Sequence, residues 1–75
     1  MKYGEQRIEC NLIVRGHLGA EFSPWFEGLE LTSLGGGNTQ IAGIVTDQSM
    51  LYGLLEKCRD LGLALLSVHT RPVQE

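Results

Sequence analysis

Cysteine is scarce in this chain, which has only Cys10 and Cys58 among its 75 residues. No C-x-x-C pair is present, so the sequence does not support a redox motif or a zinc knuckle. Cys10 falls in an apparent strand and Cys58 in an apparent helix, each on an apolar face. Because reduced cysteine is among the most buried residue types, we predict two buried free thiols rather than a disulfide.

Positive charge and long apolar runs are also lacking. Six Lys and Arg residues stand against nine Asp and Glu residues, which gives a net charge of −3, and the basic residues are scattered. This balance argues against non-specific nucleic-acid binding, which needs a basic footprint. The sequence has no stretch long enough to span a membrane and no apolar segment typical of a signal peptide, so we expect a soluble, cytoplasmic protein.

The length predicts a single domain over residues 1–75. A chain this short buries only about 60–65% of its unfolded surface, so its own core is marginal. Small domains usually compensate with disulfides, a metal or oligomerisation. With the first two unsupported, oligomerisation is the remaining expectation.

Four segments have the pattern of strands and one has the pattern of a helix. Residues 7–15 alternate between apolar and polar side chains, a strong strand signal. Residues 29–34 and 39–46 are two further strand candidates, joined by a Gly-rich turn that suits a hairpin. Leucines at spacings of three and four predict a helix over residues 48–61, and residues 64–70 form the last strand.

Local signals mark the ends of these elements. Asp47 predicts the N-cap of the long helix, and Gly62 predicts its left-handed stop. Residues 23–28, with the sequence SPWFEG, predict a single helical turn of α or 3₁₀ type. Gly43 inside a strand indicates a bulge or a close approach by another group. Gly53 in mid-helix costs about 0.5–1 kcal/mol relative to Ala, which close packing against a neighbouring element would explain.

Together these elements predict an α+β fold, with one four-stranded, mostly antiparallel sheet and one long helix on one face. Two strand orders are compatible with the sequence. The first is a β-β-β-α-β meander in which strand four lies parallel beside strand one. The second is a reduced ferredoxin-like arrangement whose first helix has shrunk to residues 23–28. The linker over residues 16–28 is short for a parallel crossover, which favours the meander.

The alternation assigns side chains to the two faces of the sheet. The face covered by the helix is predicted to carry Ile8, Cys10, Leu12, Val14, Leu29, Leu31, Ile41, Val45, Leu66 and Val68. The opposite face carries Ile13, Leu34, Ile44 and Leu65 among polar residues. An uncovered, partly apolar face on so small a chain predicts that these four residues form the interface of a homodimer or higher oligomer.

Few side chains suggest chemistry. The two histidines, His17 and His69, have no metal-ligand spacing, and we predict no metal, no cofactor and no catalytic residue. Three aromatic residues cluster at Phe22, Trp25 and Phe26, where they could close the open end of the core or contact a ligand or partner. These five residues are the candidates for ligand or partner contact.

Four segments resemble a group of small uncharacterised bacterial proteins of about this length. They are GHL at 16–18, WFEGL at 25–29, DQ at 47–48 and RDLGLALLSV at 59–68. The resemblance covers most of the chain and implies a small soluble bacterial protein. It brings no assigned activity or substrate.

Two functions from different classes follow from the sequence. The leading hypothesis is a small self-associating module for protein interaction or regulation, without catalysis of its own. The alternative is a small ligand-binding protein or enzyme whose site lies at the subunit junction, near Trp25 and His17. The discriminating feature is a pocket lined by Trp25 with an imidazole directed into it.

Overall fold

The computed structural model describes residues 7–26 and 28–73. In this part of the chain, four strands, one α-helix and one 3₁₀ segment follow one another. They are β1 (Ile8–Arg15), the 3₁₀ segment (Ala20–Phe26), β2 (Leu29–Leu34), β3 (Asn38–Val45), α1 (Gln48–Asp60) and β4 (Ala64–Pro72). The predicted α+β class is confirmed, and the helical turn is a 3₁₀ segment that begins at Ala20, before the expected Ser23.

The strands form one sheet in the order β2-β3-β1-β4, with every neighbouring pair antiparallel. The meander is therefore wrong, because β1 pairs with β3 and β4, and β4 runs antiparallel to β1. The linker over residues 16–28 does connect two parallel strands, β1 and β2, on either side of β3. The linker must reach across β3. Because an extended residue spans about 3.3 Å, the loop residues beside the 3₁₀ segment provide the length that a full helix would otherwise give to this crossover.

Helix α1 begins and ends as its sequence predicts. The Asp47 carboxylate accepts the Met50 amide at 2.9 Å, which satisfies one free donor of the first turn. At the other end the Leu63 amide donates to the Cys58 carbonyl at 3.0 Å and the Gly62 amide to the Arg59 carbonyl at 2.9 Å. These two bonds, with Gly62 at a φ of +73°, form a Schellman motif.

The core lies between α1, the 3₁₀ segment and one face of the sheet. Its buried apolar residues are Ile8, Cys10, Leu12, Val14, Leu18, Phe26, Ile41, Val45, Leu51, Leu54 and Cys58. Leu29 and Leu31 pack against it partly buried. Leu66 and Val68 were predicted to belong to this covered face. Val68 lies on it, opposite Leu12, but is 42% exposed because β4 is an edge strand, and Leu66 is 46% exposed.

A bulge in β4 changes the face of one predicted residue. Ser67 pairs with Ile13 and Leu65 pairs with Val14, so Leu66 lies between them without a cross-strand partner. Directly paired residues place their side chains on the same face. Val14 is in the core, so Leu65 lies on the helix side, and its prediction for the opposite face is wrong.

The close approach predicted at Gly43 is confirmed. A Cβ at this position would lie 2.7 Å from Cδ2 of Leu29 and 3.2 Å from the carbonyl oxygen of Gly28, and its φ is +156°. The start of β2 therefore packs directly on the backbone of β3. Within residues 7–26 and 28–73, no helix is long and apolar enough to cross a membrane.

Candidate functional site

The sheet face opposite α1, here called the open face, is mostly polar. The cross-strand register aligns its side chains in rows: Ile44–Glu9–Arg71, Glu30–Ala42–Asn11–His69, Thr32–Gln40–Ile13–Ser67 and Leu34–Asn38–Arg15–Ala64. Ile44 is 46% exposed, whereas Ile13 and Leu34 are half-buried. Each of these three aliphatic side chains has a polar neighbour in its row, so they do not form a continuous apolar patch.

A cleft of about 400 Å³ lies on this face, between the first two rows. Glu9, Asn11, Ala42, His69 and Arg71 line it with their side chains, and we call it the sheet-face cleft. The depression exists because Ala42 is short where its row neighbours are long. Its volume falls within the range of about 300–1,000 Å³ typical of small-molecule sites.

One ion pair orders the cleft. The Arg71 Nε donates to Glu9 Oε1 at 2.6 Å, across a directly paired position of β1 and β4. His69 lies opposite Asn11 in the next row. Four polar side chains from two strands therefore converge on one depression.

A second concave surface lies on the helix side. It is an apolar groove of about 250 Å³ between α1, the 3₁₀ segment and the ends of β2 and β3, and we call it the Trp25 groove. Lys57 closes it by donating from Nζ to the Trp25 carbonyl at 2.7 Å. Gly53 lies in its wall, and a Cβ there would meet nothing within 4 Å, so the close packing predicted for Gly53 is wrong.

The third surface is the edge of the sheet at β4. Leu65, Leu66 and Val68 are 44%, 46% and 42% exposed, and every β4 residue except Ser67 is exposed. Among the described residues, no strand pairs with the outer side of β4. An aliphatic edge strand with unpaired backbone groups is a template for pairing with another chain.

The five predicted contact residues do not form one site. Phe26 is only 1% exposed and belongs to the core, and Phe22 packs against the core partly buried. Trp25 is 48% exposed in the Trp25 groove. His69 lines the sheet-face cleft, on the other side of the sheet.

His17 lies in neither surface, because its loop is held at the far end of β1. Thr39 is a buried polar side chain whose hydroxyl donates to the Gly16 carbonyl at 2.7 Å. The same oxygen accepts the Leu18 amide at 3.2 Å, and Leu18 enters the core. The Gly16 amide also donates to the Gly37 carbonyl at 2.7 Å. The GHL segment is thus fixed on both sides of His17, whose own side chain is exposed.

A family model described as a domain of unknown function, DUF8691, matches residues 9–69, from β1 into β4. The chain belongs to this family. No curated protein matches it, and no solved structure does. The predicted membership of an uncharacterised family is confirmed for DUF8691, whose description names no activity.

The cysteines of this DUF8691 domain are free and buried, as predicted. Burial raises the pKa of the Cys58 thiol. Burial also raises the pKa of the Cys10 thiol, with a further contribution from the Glu9 charge, against a smaller lowering by a backbone hydrogen bond at Gly43. Both thiols therefore stay protonated and are poor nucleophiles. Within the described part of the chain, no three or more His, Cys, Asp or Glu side chains form a group that could hold a metal ion.

Three polar residues of the sheet-face cleft were not identified from the sequence: Glu9, Asn11 and Arg71. Alternation places Glu9 and Asn11 on one face of β1, and His69 and Arg71 on one face of β4. The signal for the cleft was therefore present within each strand. Combining the two pairs requires the register between β1 and β4, which the sequence does not provide.

Proposed function

We propose that this chain is a small self-associating module for protein interaction or regulation, without catalysis of its own, whose copies join through the β4 edge. The observation that carries the proposal is the exposure of Leu65, Leu66 and Val68 on an edge strand of nine residues. Native edge strands are usually shortened, charged or covered to prevent pairing. β4 is long, and Arg71, the only Lys, Arg, Asp or Glu in this strand that could discourage pairing with another strand, lies near one end.

A second copy is the partner that β4 fits best. The strand contains no Asp or Glu, so it offers no acidic group to a basic partner. In an antiparallel pair of two β4 strands centred on Val68, the two Val68 side chains lie opposite each other on the helix side of the sheet, with Leu65 on the same side. The two Arg71 side chains lie on the open face, at opposite ends of the pair, so the pairing brings no like charges together. Such an isologous pair closes as a dimer.

The open face is the alternative interface, through Ile13, Leu34 and Ile44. It is less favoured because two of these side chains are already half-buried and all three have polar neighbours. The two interfaces make different predictions for single substitutions, so one experiment separates them.

The test compares Val68→Lys with Ile44→Lys. Both replace an aliphatic residue of similar exposure by a lysine, the first on the β4 edge and the second on the open face. We expect wild type to be a dimer at high micromolar concentration by analytical ultracentrifugation, Val68→Lys to be a folded monomer, and Ile44→Lys to remain a dimer. Leu66→Lys serves as a second edge variant, and far-UV circular dichroism verifies folding.

Two results would reject the β4 interface. One is a monomeric wild type at every concentration tested. The other is a dimer that Ile44→Lys dissociates and Val68→Lys does not, which would support the open face instead.

A reduced ferredoxin-like arrangement is part of the proposal. Its support is that β1 and β2 are parallel with β3 between them, and that β3 and β4 are parallel with β1 between them. This is the split βαβ pattern, with the 3₁₀ segment in place of the first helix. Bacterial origin and a cytoplasmic location stay predictions from the sequence.

The alternative function, a ligand site shared by Trp25 and His17, has less support. His17 does not line the Trp25 groove, and the residues that do include no imidazole. The groove lacks the discriminating feature expected of such a site.

A further inference from the structure

We infer that the sheet-face cleft is a binding site for a small ligand that carries a carboxylate or phosphate group, with Arg71 as its principal contact. This goes beyond the proposed self-association, which uses the edge of β4 rather than the open face. The inference starts from the geometry of the cleft, where Glu9, Asn11, His69 and Arg71 converge on a depression of about 400 Å³.

The Arg71 side chain is held by one hydrogen bond to another described residue, which its Nε donates to Glu9 Oε1 at 2.6 Å. A guanidinium has five N–H donors, four of which lie on its two terminal nitrogens. With Nε taken by Glu9, the two terminal nitrogens have no hydrogen bond to a described residue, and Arg71 lines the cleft. This is the fork that binds carboxylate and phosphate oxygens in pairs.

Two further polar side chains lie next to the Glu9–Arg71 pair. Asn11 and His69 form the next cross-strand pair on the same face, and both line the cleft. An amide and an imidazole can each donate a hydrogen bond to an oxyanion held by Arg71. Glu9 is the acidic side chain that lines the cleft, and its charge is opposed by the arginine that it holds. Glu30 lies beyond Ala42 in the same row and is not among the residues that line the cleft.

The cleft also has an apolar part of its lining. Ala42 lies between Asn11 and Glu30 in its row and lines the cleft. Its methyl group offers a small apolar contact next to the polar groups. The ligand class is therefore a small molecule with one oxyanion and a short apolar part.

The experiment is a titration of ¹⁵N-labelled wild-type protein followed by NMR, at constant ionic strength maintained with NaCl. Sodium butyrate probes the carboxylate and sodium phosphate probes the phosphate, so that the two sources are compared directly. We expect saturable shifts for at least one anion, confined to residues 9–11, 42–44 and 69–71. Butyrate shifts that saturate at lower concentration than phosphate shifts would assign the carboxylate, and the reverse would assign the phosphate.

Variants identify the contact. Arg71→Gln should weaken binding about 10-fold or more, since a hydrogen-bonded charge is lost. Arg15→Gln is the matched control, because Arg15 of β1 lies exposed on the same open face as Arg71 but does not line the cleft. This variant should bind each anion within about twofold of wild type. Glu9→Gln keeps an acceptor oxygen for Arg71 Nε while removing a negative charge, so it should bind at least as tightly as wild type.

Three outcomes would overturn the inference. Shifts that do not saturate with either anion would show that the cleft holds no site of this class. Equal effects of Arg71→Gln and Arg15→Gln would show general charge attraction. A loss of anion binding in Glu9→Gln as large as that in Arg71→Gln would show that binding depends on the Glu9 carboxylate, which contradicts Arg71 as the principal contact.

Discussion

Thr39 is the buried polar side chain on which the loop after β1 depends. Its hydroxyl donates to the Gly16 carbonyl and accepts the Leu18 amide, and the residue is only 1% exposed. Thr39→Val keeps the shape of the side chain and removes both hydrogen bonds. Leu18 is itself buried, so its amide is then left without a partner.

The expected cost follows from these contacts. An unpaired buried donor costs about 1–3 kcal/mol, whereas the half-buried Gly16 carbonyl can turn to water. We expect a loss of about 2–3 kcal/mol in the free energy of unfolding. A chain of this length has a total of roughly 4–11 kcal/mol, so the loss is a large fraction of its stability. The melting temperature should fall by about 8–24 °C.

Urea denaturation followed by circular dichroism measures this loss at a fixed protein concentration, because self-association would add to the apparent stability. Thr39→Ser keeps the hydroxyl and should lose only about 1 kcal/mol for the missing methyl group. Thr32→Val makes the same substitution at an exposed position of β2 and should change stability by less than about 0.5 kcal/mol. If Thr39→Val is no less stable than Thr32→Val, the reasoning about the buried loop contacts is refuted.

Further predictions concern the glycines, the helix cap and the thiols. Gly53→Ala should stabilise the protein by about 0.5–1 kcal/mol in thermal unfolding, since its Cβ would meet nothing within 4 Å; a destabilised variant would contradict the open groove. Gly43→Ala should destabilise it by at least about 1 kcal/mol, because of the contact with Leu29, and unchanged stability would contradict that contact. Asp47→Ala should cost about 0.5–2 kcal/mol through loss of the N-cap, and helix content by circular dichroism should fall with it. Burial makes the pKa of both thiols higher in the folded than in the unfolded state. Their contribution to stability is therefore present below about pH 8.5 and is lost as the pH rises above that value. A denaturation midpoint that increases when the pH is raised beyond this point would contradict the burial.

The elements that the sequence predicted correctly depend on local signals. The alternation in β1, the Asp47 cap and the Gly62 stop each lie within a few residues of what they specify. The position of each element along the chain could therefore be predicted before its partners were known.

The strand order and one face assignment depend on contacts between distant residues. The strand order depends on the linker between β1 and β2. This linker crosses β3 and contains only a 3₁₀ segment where a full helix would be expected. The face of Leu65 rests on the bulge at Leu66, and the sequence there contains no Gly or Pro to mark it. For the same reason the sheet-face cleft was only partly predictable, through His69, because the pairing of Glu9 with Arg71 requires the register.

The position of β1 between β3 and β4 has a consequence for the order of folding. The hairpin of β2 and β3 can form from neighbouring residues, but Ile8 pairs with Val45 on one side and with Pro72 on the other. β1 thus has no complete set of partners until β4 has been made. Pairings so distant in sequence slow folding, and we expect nascent chains that stop before β4 to expose β1 as a temporary edge.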